Sequence, residues 1–181
     1  MERNLSNEIV RSLMRDDLHV RALAQHLNTN HTSVINHLRD LVGLNVLDFR
    51  SVGRNKVYFI KNSIEAIEYV KLVEHHVLID TLRQYPELRQ IVKRIQDEGD
   101  VPLAALFGSY AKGTATCDSD IDLYVETEDR NVRKRLRRLH GRLSIKIGKF
   151  DARSELMQEI IRYHVLIKGV ERFHEKTKIL E

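Results

Sequence analysis

At 181 residues the chain is long enough for one ordinary domain or two small ones, and 42% hydrophobic residues suffice to build their cores. Its 30 Lys and Arg against 26 Asp and Glu leave a formal net charge of +4, too mild to define a nucleic-acid binder, so the distribution of charge must decide. The N-terminus MERNLSNEIV lacks a signal pattern and no apolar run approaches the roughly 20 residues that span a bilayer, which predicts a cytoplasmic protein with no membrane role; the single cysteine, Cys117, excludes an internal disulfide and argues against a cysteine zinc site.

Leu5, Ile9 and Leu13 stand four apart with Val10 and Met14 beside them, the apolar stripe of a first helix. Val20, Leu23, Ala24 and Leu27 repeat the helical pattern until the polar NTN at 28–30 breaks it. A third helix follows, with Asn30 or His31 at its N-cap, Val34, Leu38, Leu41 and Val42 on its inner face, and Gly43 expected to end it. Val46 to Arg50 and Lys56 to Ile60 then read as short strands joined through SVGRN, where Gly53 and Asn55 suit a hairpin turn.

Three helices with one tight turn, then a hairpin, give the element order of a winged helix-turn-helix. The stretch LAQHLNTNHTSVINHLRDLVGLNVLDFRSVGRNKVYFI resembles the winged-helix domains of prokaryotic transcription regulators, over about a third of the chain. Ser33, Asn36, His37 and Arg39 point away from the inner face as base-reading side chains would, and Arg50, Arg54 and Lys56 of the wing are placed to grip DNA phosphates. Dimerisation or protein docking is the other use of such a module, and His31, Asp40 and Asp48 dilute its basic footprint.

Residues 62–84 carry Ile64, Ile67, Val70, Val73 and Val77 in helical register and predict a connecting helix; a homodimer through it or through the winged helix is the default assembly. Leu88, Ile91, Val92 and Ile95 form another amphipathic helix that closes at Asp97, Glu98 and Gly99. The domains are therefore placed at 1–61 and 85–181, on either side of the 62–84 connector. VPLAALF (101–107) and IDLYVE (121–126) read as buried strands, Val132, Leu136, Leu139 and Leu143 as a helix, and SIKIGKFD (144–151) as a third strand. The predicted class is α/β (α+β): a helix-rich winged N-domain, then a mixed β-sheet flanked by helices.

A strand running into Gly108 and Ser109 can bind phosphate, because glycine lets the backbone approach an anion while amide N–H groups and the hydroxyl donate hydrogen bonds. Eleven residues after Ser109 comes Asp120, then Ile121 and Asp122; side chains at i and i+2 of a strand share a face, so two carboxylates converge. Such oxygen ligands suit Mg²⁺, shared with waters and the phosphates of a substrate. Lys112 is placed to touch phosphate as a point charge.

The constellation G-S-x10-D-x-D within FGSYAKGTATCDSDID (107–122) resembles the signature of the polymerase-beta-like superfamily, closest to its minimal nucleotidyltransferases. The resemblance implies a third carboxylate from a neighbouring strand, at the position matched by Asp151. Asp120, Asp122 and Asp151 would then be catalytic and hold two Mg²⁺ ions, while Gly108, Ser109 and Lys112 bind the nucleoside triphosphate, usually ATP. It also implies transfer of a nucleoside monophosphate to an acceptor hydroxyl with release of pyrophosphate, the metals lying about 3.5 to 4 Å apart. Minimal nucleotidyltransferases often act as antitoxins on a partner toxin of the HEPN class, so a protein hydroxyl is an implied acceptor; the winged helix departs from their pattern. A transcription regulator whose nucleotidyltransferase fold only senses nucleotide is the alternative.

The run RNVRKRLRRLHGR (130–142) holds seven Lys or Arg and no acid, and reads either as a solvated helix face or as a surface for nucleic acid or an acidic partner. His75, His76 and His164 have no ligand partners at metal spacing.

Overall fold

The structure, a computed structural model, describes residues 4–177; the ends of the two expected domains, 1–3 and 178–181, lie outside the described residues. It divides into two compact units, with the break between Val73 and Glu74.

In the first unit, Asn4 caps α1 (Leu5–Leu13) by accepting the N–H of Asn7, and the stripe of Leu5, Ile9, Val10 and Leu13 is buried. A two-residue strand β1 (Leu18–His19), too short to leave a periodic signal, precedes α2 (Val20–His26). The turn into α3 (His31–Gly43) uses Asn28 at φ 47, and Asn30 caps α3 through the N–H of Ser33. The helix ends at Gly43, but Gly43 does not make the reversal. Leu44 is its C-cap and Asn45, at φ 61, makes the left-handed reversal, a conformation that asparagine tolerates better than most residues.

β2 (Leu47–Val52) and β3 (Asn55–Ile60) pair antiparallel around a two-residue turn, Gly53–Arg54, where Gly53 at φ 60 takes the position that demands a left-handed residue. The sheet order is β1-β3-β2, with Leu18 opposite Tyr58. Leu23, Val34, Leu38, Leu41 and Leu47 fill the core together with Ala66, Val70 and Val73 from the first half of α4 (Ile64–Gln84). Three helices and a three-stranded wing are a winged helix-turn-helix.

The second unit begins within α4 and continues through α5 (Leu88–Asp97), β4 (Leu103–Leu106), α6 (Gly108–Lys112), β5 (Ile121–Glu126), α7 (Arg130–Arg137), β6 (Leu143–Ile147), α8 (Glu155–Arg162), β7 (Val165–Lys168) and α9 (Val170–Thr177). Its sheet runs β6-β5-β4-β7, parallel between β5 and β6 and antiparallel elsewhere. β4 is buried at every position, as a central strand covered on both faces must be, which accounts for its unbroken apolar run.

Four elements differ from expectation. Residues 108–112 form a helical turn rather than an open loop, β7 is not among the expected strands, the strand expected over 144–151 stops at Ile147 before Gly148, and the helix expected to carry Leu139 and Leu143 stops at Arg137, so that Leu143 opens β6 instead. The topology has a direct consequence for the site. Because β4 is antiparallel to β5 and β6 is parallel to it, the end of β4 and the starts of β5 and β6 meet at one edge of the sheet.

Candidate active site

At that edge β4 runs into Phe107, whose N–H donates to the carbonyl of Asp122 at 3.0 Å. The next residue, Gly108, has φ +64, and a Cβ built there would lie 2.4 Å from Oδ2 of Asp122. Both facts require glycine: the backbone sits directly on the carboxylate. Ser109, half-buried, follows in α6, and Gly113 at φ 71 ends that turn.

Asp122 is half-buried on β5 and Asp120 is exposed one residue before the strand. Desolvation pushes the Asp122 carboxyl above its ordinary range, and the charges of Asp120 and Glu159 push the same way, opposed by a hydrogen bond from Ser144 and by Lys146. The sheet edge therefore gathers negative charge and leaves it poorly compensated.

Asp151 is not brought into this group. It lies four residues beyond the end of β6, exposed, where its Oδ1 accepts the N–H of Arg153 and its carbonyl accepts from Ser154 ahead of α8. Among the described residues no three His, Cys, Asp or Glu side chains cluster to hold a metal ion. The residue of β6 in register with Asp122 is Ser144.

Lys112 is held on α8, its Nζ 2.8 Å from Oε1 of Glu159 and 5.6 Å from the centre of the Tyr163 ring. Glu159, Ser144 and Lys146 were not found from sequence; Glu159 lies 37 residues beyond Asp122, and only the packing of α8 brings it near.

The basic run divides by role. Arg135 binds Glu98 at 2.8 Å and Asp129 at 3.1 Å, and Arg133 donates to the carbonyl of Ile145 at 3.2 Å, whereas Lys134, Arg137 and Arg138 are exposed.

On the winged helix, Asn36 and Arg39 are exposed on α3 and Arg54 on the turn of the wing. The other expected contacts are engaged within the unit. His37 is half-buried, with Nδ1 2.8 Å from Oγ of Ser6, and Ser33 is half-buried beside its cap. Arg50 pairs with Asp17 at 2.8 Å, and Nζ of Lys56 sits 3.8 Å over the Phe49 ring. A cleft of about 570 Å³ opens between α3 and the wing, lined by His19, Arg21, His31, Ile35, Arg54 and Lys56 among others.

A mixed sheet whose edge seats a glycine turn on one aspartate, with a second aspartate two residues before it, is built for nucleotidyl transfer, and here a winged helix-turn-helix precedes it in the chain. The chain belongs to the nucleotidyltransferase domain family, whose profile matches residues 87–179. It is similar to a candidate protein adenylyltransferase of Methanocaldococcus jannaschii, 46% identical over 52 residues, which are 28% of this chain and 52% of that protein. The match thus spans about half the length of that curated relative.

Among solved structures, it resembles an adhesin competence repressor from Streptococcus pyogenes at 23% identity and a TM-score of 0.40, over 49% of this chain and 66% of the other. A toxin-antitoxin crystal structure with AMP-PNP matches at 21% identity and a TM-score of 0.37, over 52% and 82%. No helix among the described residues is long and apolar enough to cross a membrane.

Proposed function

We propose that the chain transfers AMP from ATP to a hydroxyl group of a partner protein, with Mg²⁺ held by Asp120 and Asp122, and that its winged helix binds DNA. The observation that carries the reading is the seating of Gly108 on Asp122, which leaves backbone able to approach an anion beside two acids suited to its cation. The donor set fits Mg²⁺, which is commonly held by one or two carboxylates plus substrate phosphates. When bound, the ion neutralises phosphate charge and polarises the phosphoryl group.

The chain's own residues bind and orient. Gly108 and Ser109 offer amide and hydroxyl donors to the phosphates. Lys112 exchanges Glu159 for a phosphate oxygen, an exposed pair worth only about 0 to 1 kcal/mol and therefore readily exchanged. The acceptor oxygen bonds to the α-phosphorus as the bond to the bridging oxygen breaks; pyrophosphate leaves and the hydroxyl proton passes to solvent.

The likeness to a candidate protein adenylyltransferase supports AMP as the group and protein as the acceptor. The resemblance of residues 85–181 to minimal nucleotidyltransferases supports a HEPN-type toxin as that protein. Exposed Asn36 and Arg39 on α3, with Arg54 on the wall of the cleft, support DNA as the ligand of the winged helix. Incubation with Mg²⁺, labelled ATP and proteins of the same operon should label one of them, and Asp120→Ala should abolish the label.

Ser144 in register with Asp122, a hydroxyl where the neighbouring strand was expected to bring an acid, favours a second reading in which ATP is bound and sensed without turnover. ATP binding with no label reaching any protein, RNA or small-molecule pool would select it.

A further inference from the structure

Asp120 stands outside the sheet, exposed at the end of the segment 113–120 that links α6 to β5. A carboxylate on a connecting segment has no strand ladder to fix it, so its orientation depends on whatever grips its neighbours. Arg142, the residue before β6, grips both of them. Its Nη1 donates to the carbonyl of Ser119 at 3.0 Å and to that of Cys117, while its own backbone carbonyl accepts the N–H of Ile121 at 2.8 Å.

The chain immediately before Asp120 is thus held by the side chain of one residue, and the chain immediately after it by that residue's backbone. The turn being gripped is also closed on itself: the Ser119 N–H donates to the Thr116 carbonyl at 3.1 Å and the Thr116 N–H to Oγ of Ser119 at 2.9 Å. An arginine suits the task because it is always charged and its planar donors are fixed in direction.

We infer that Arg142 is the positioning residue of Asp120, orienting that carboxylate for its cation; this rests on the nucleotidyl-transfer reading above. It assigns a role to the last cation of the 130–142 run that neither a solvated face nor a nucleic-acid surface supplies.

The test compares wild type, Arg142→Ala and Arg142→Lys in the full chain by three measurements: hydrogen exchange of the 114–121 amides, Mn²⁺ binding followed by electron paramagnetic resonance in the presence of ATP, and label transfer. In Arg142→Ala, exchange in this segment should quicken while that of β4 and β7 does not. The Mn²⁺ half-saturation should rise by about 10- to 100-fold, the usual effect of removing a group that orients a metal ligand, with the KM for ATP little changed. Low millimolar guanidinium should restore part of the transfer to Arg142→Ala and none to Asp120→Ala, and Arg142→Lys should fall between. Should Arg142→Ala not fold, Arg142→Lys alone must show the intermediate exchange and Mn²⁺ shift. Unchanged exchange or unchanged Mn²⁺ binding overturns the assignment. Faster exchange and weaker Mn²⁺ binding in an enzyme whose wild type transfers no label uphold Arg142 and bring down the transfer reading instead.

Discussion

A methyl group on residue 108 would have nowhere to go. Gly108→Ala forces a non-glycine residue to φ +64 and drives Cβ to 2.4 Å from Asp122 Oδ2, so either the backbone or the carboxylate must move. The strained conformation costs about 1 to 3 kcal/mol, and a displacement of about 1 Å at a catalytic group can reduce rate about 100-fold. Label transfer by Gly108→Ala should therefore fall by at least that factor, with a lowered melting temperature by calorimetry.

Asp122→Asn should abolish transfer and, because it relieves the repulsion with Asp120 and Glu159, should not destabilise the fold. Asp151→Asn should stay close to wild type, since that carboxylate is exposed and accepts a hydrogen bond within the turn ahead of α8. Loss of transfer in Asp151→Asn would restore it to the site. That Gly108 and Asp122 come together was legible in sequence because the spacing is local: one strand end, one helical turn and one strand start. Glu159, Ser144 and Arg142 were not, because each reaches the site through register or packing between elements, and their residue types carry no spacing signal.

At the scale of elements, β6 shows where strand reading overreached. SIKIGKFD alternates only as far as Ile147; beyond Gly148 the phase is lost, with Lys149 at an apolar position and Phe150 at a polar one, and Gly148 adds a single bond from its N–H to the carbonyl of Val125, so the strand ends where the pattern does. β7, by contrast, is three buried apolar residues and Lys168, equally compatible with the end of a helix until Ala104, Ala105 and Leu106 of β4 are there to pair with it. Helix starts were more legible, since a cap is chemistry within four residues; Asn30→Ala should cost about 1 kcal/mol of stability in urea unfolding.

The second half of α4 is tied in by a buried pair that no periodicity announces. Oε1 of Glu74 lies 3.0 Å from Nε2 of His164 and 3.5 Å from Nε2 of His174, and Nδ1 of His164 faces the carbonyl of Ile160 at 2.8 Å. A carbonyl only accepts, so Nδ1 is the donor there, and Nε2 faces the carboxylate. Burial alone would raise the Glu74 carboxyl; the His164 charge and hydrogen bond, helped by His174, outweigh it and hold the group at about 2. A depressed carboxyl stabilises the fold above its unfolded value, about 4.3, and that contribution is lost as pH falls from there towards 2. Acid unfolding should therefore steepen over this window, and Glu74→Gln should flatten it. Glu74→Ala, which leaves the buried Nε2 of His164 without its carboxylate, should cost about 1 to 3 kcal/mol.

For the whole molecule, the division of the chain into two compact units makes the two proposed activities separable. Affinity for DNA rests on cations that neutralise phosphates, so it should fall linearly on a logarithmic scale with salt, the slope counting the contacts. The expected cations are all exposed, but Arg50 is shared with Asp17 and Lys56 is engaged over Phe49, so Arg39 and Arg54 are the first candidates, and Arg21, on the wall of the cleft, joins them. Arg54→Ala should weaken binding to the protein's own promoter at every sequence alike and reduce the salt slope by about 1, as the loss of one phosphate contact does. Asn36→Ala should instead relax discrimination between bases while leaving the slope unchanged, because a base-edge contact releases no counterion. Neither substitution should alter label transfer, and Asp122→Asn should leave the gel shift as it is. A DNA affinity that does not respond to salt, or that falls in Asp122→Asn, would mean that the winged helix is not the element reading DNA.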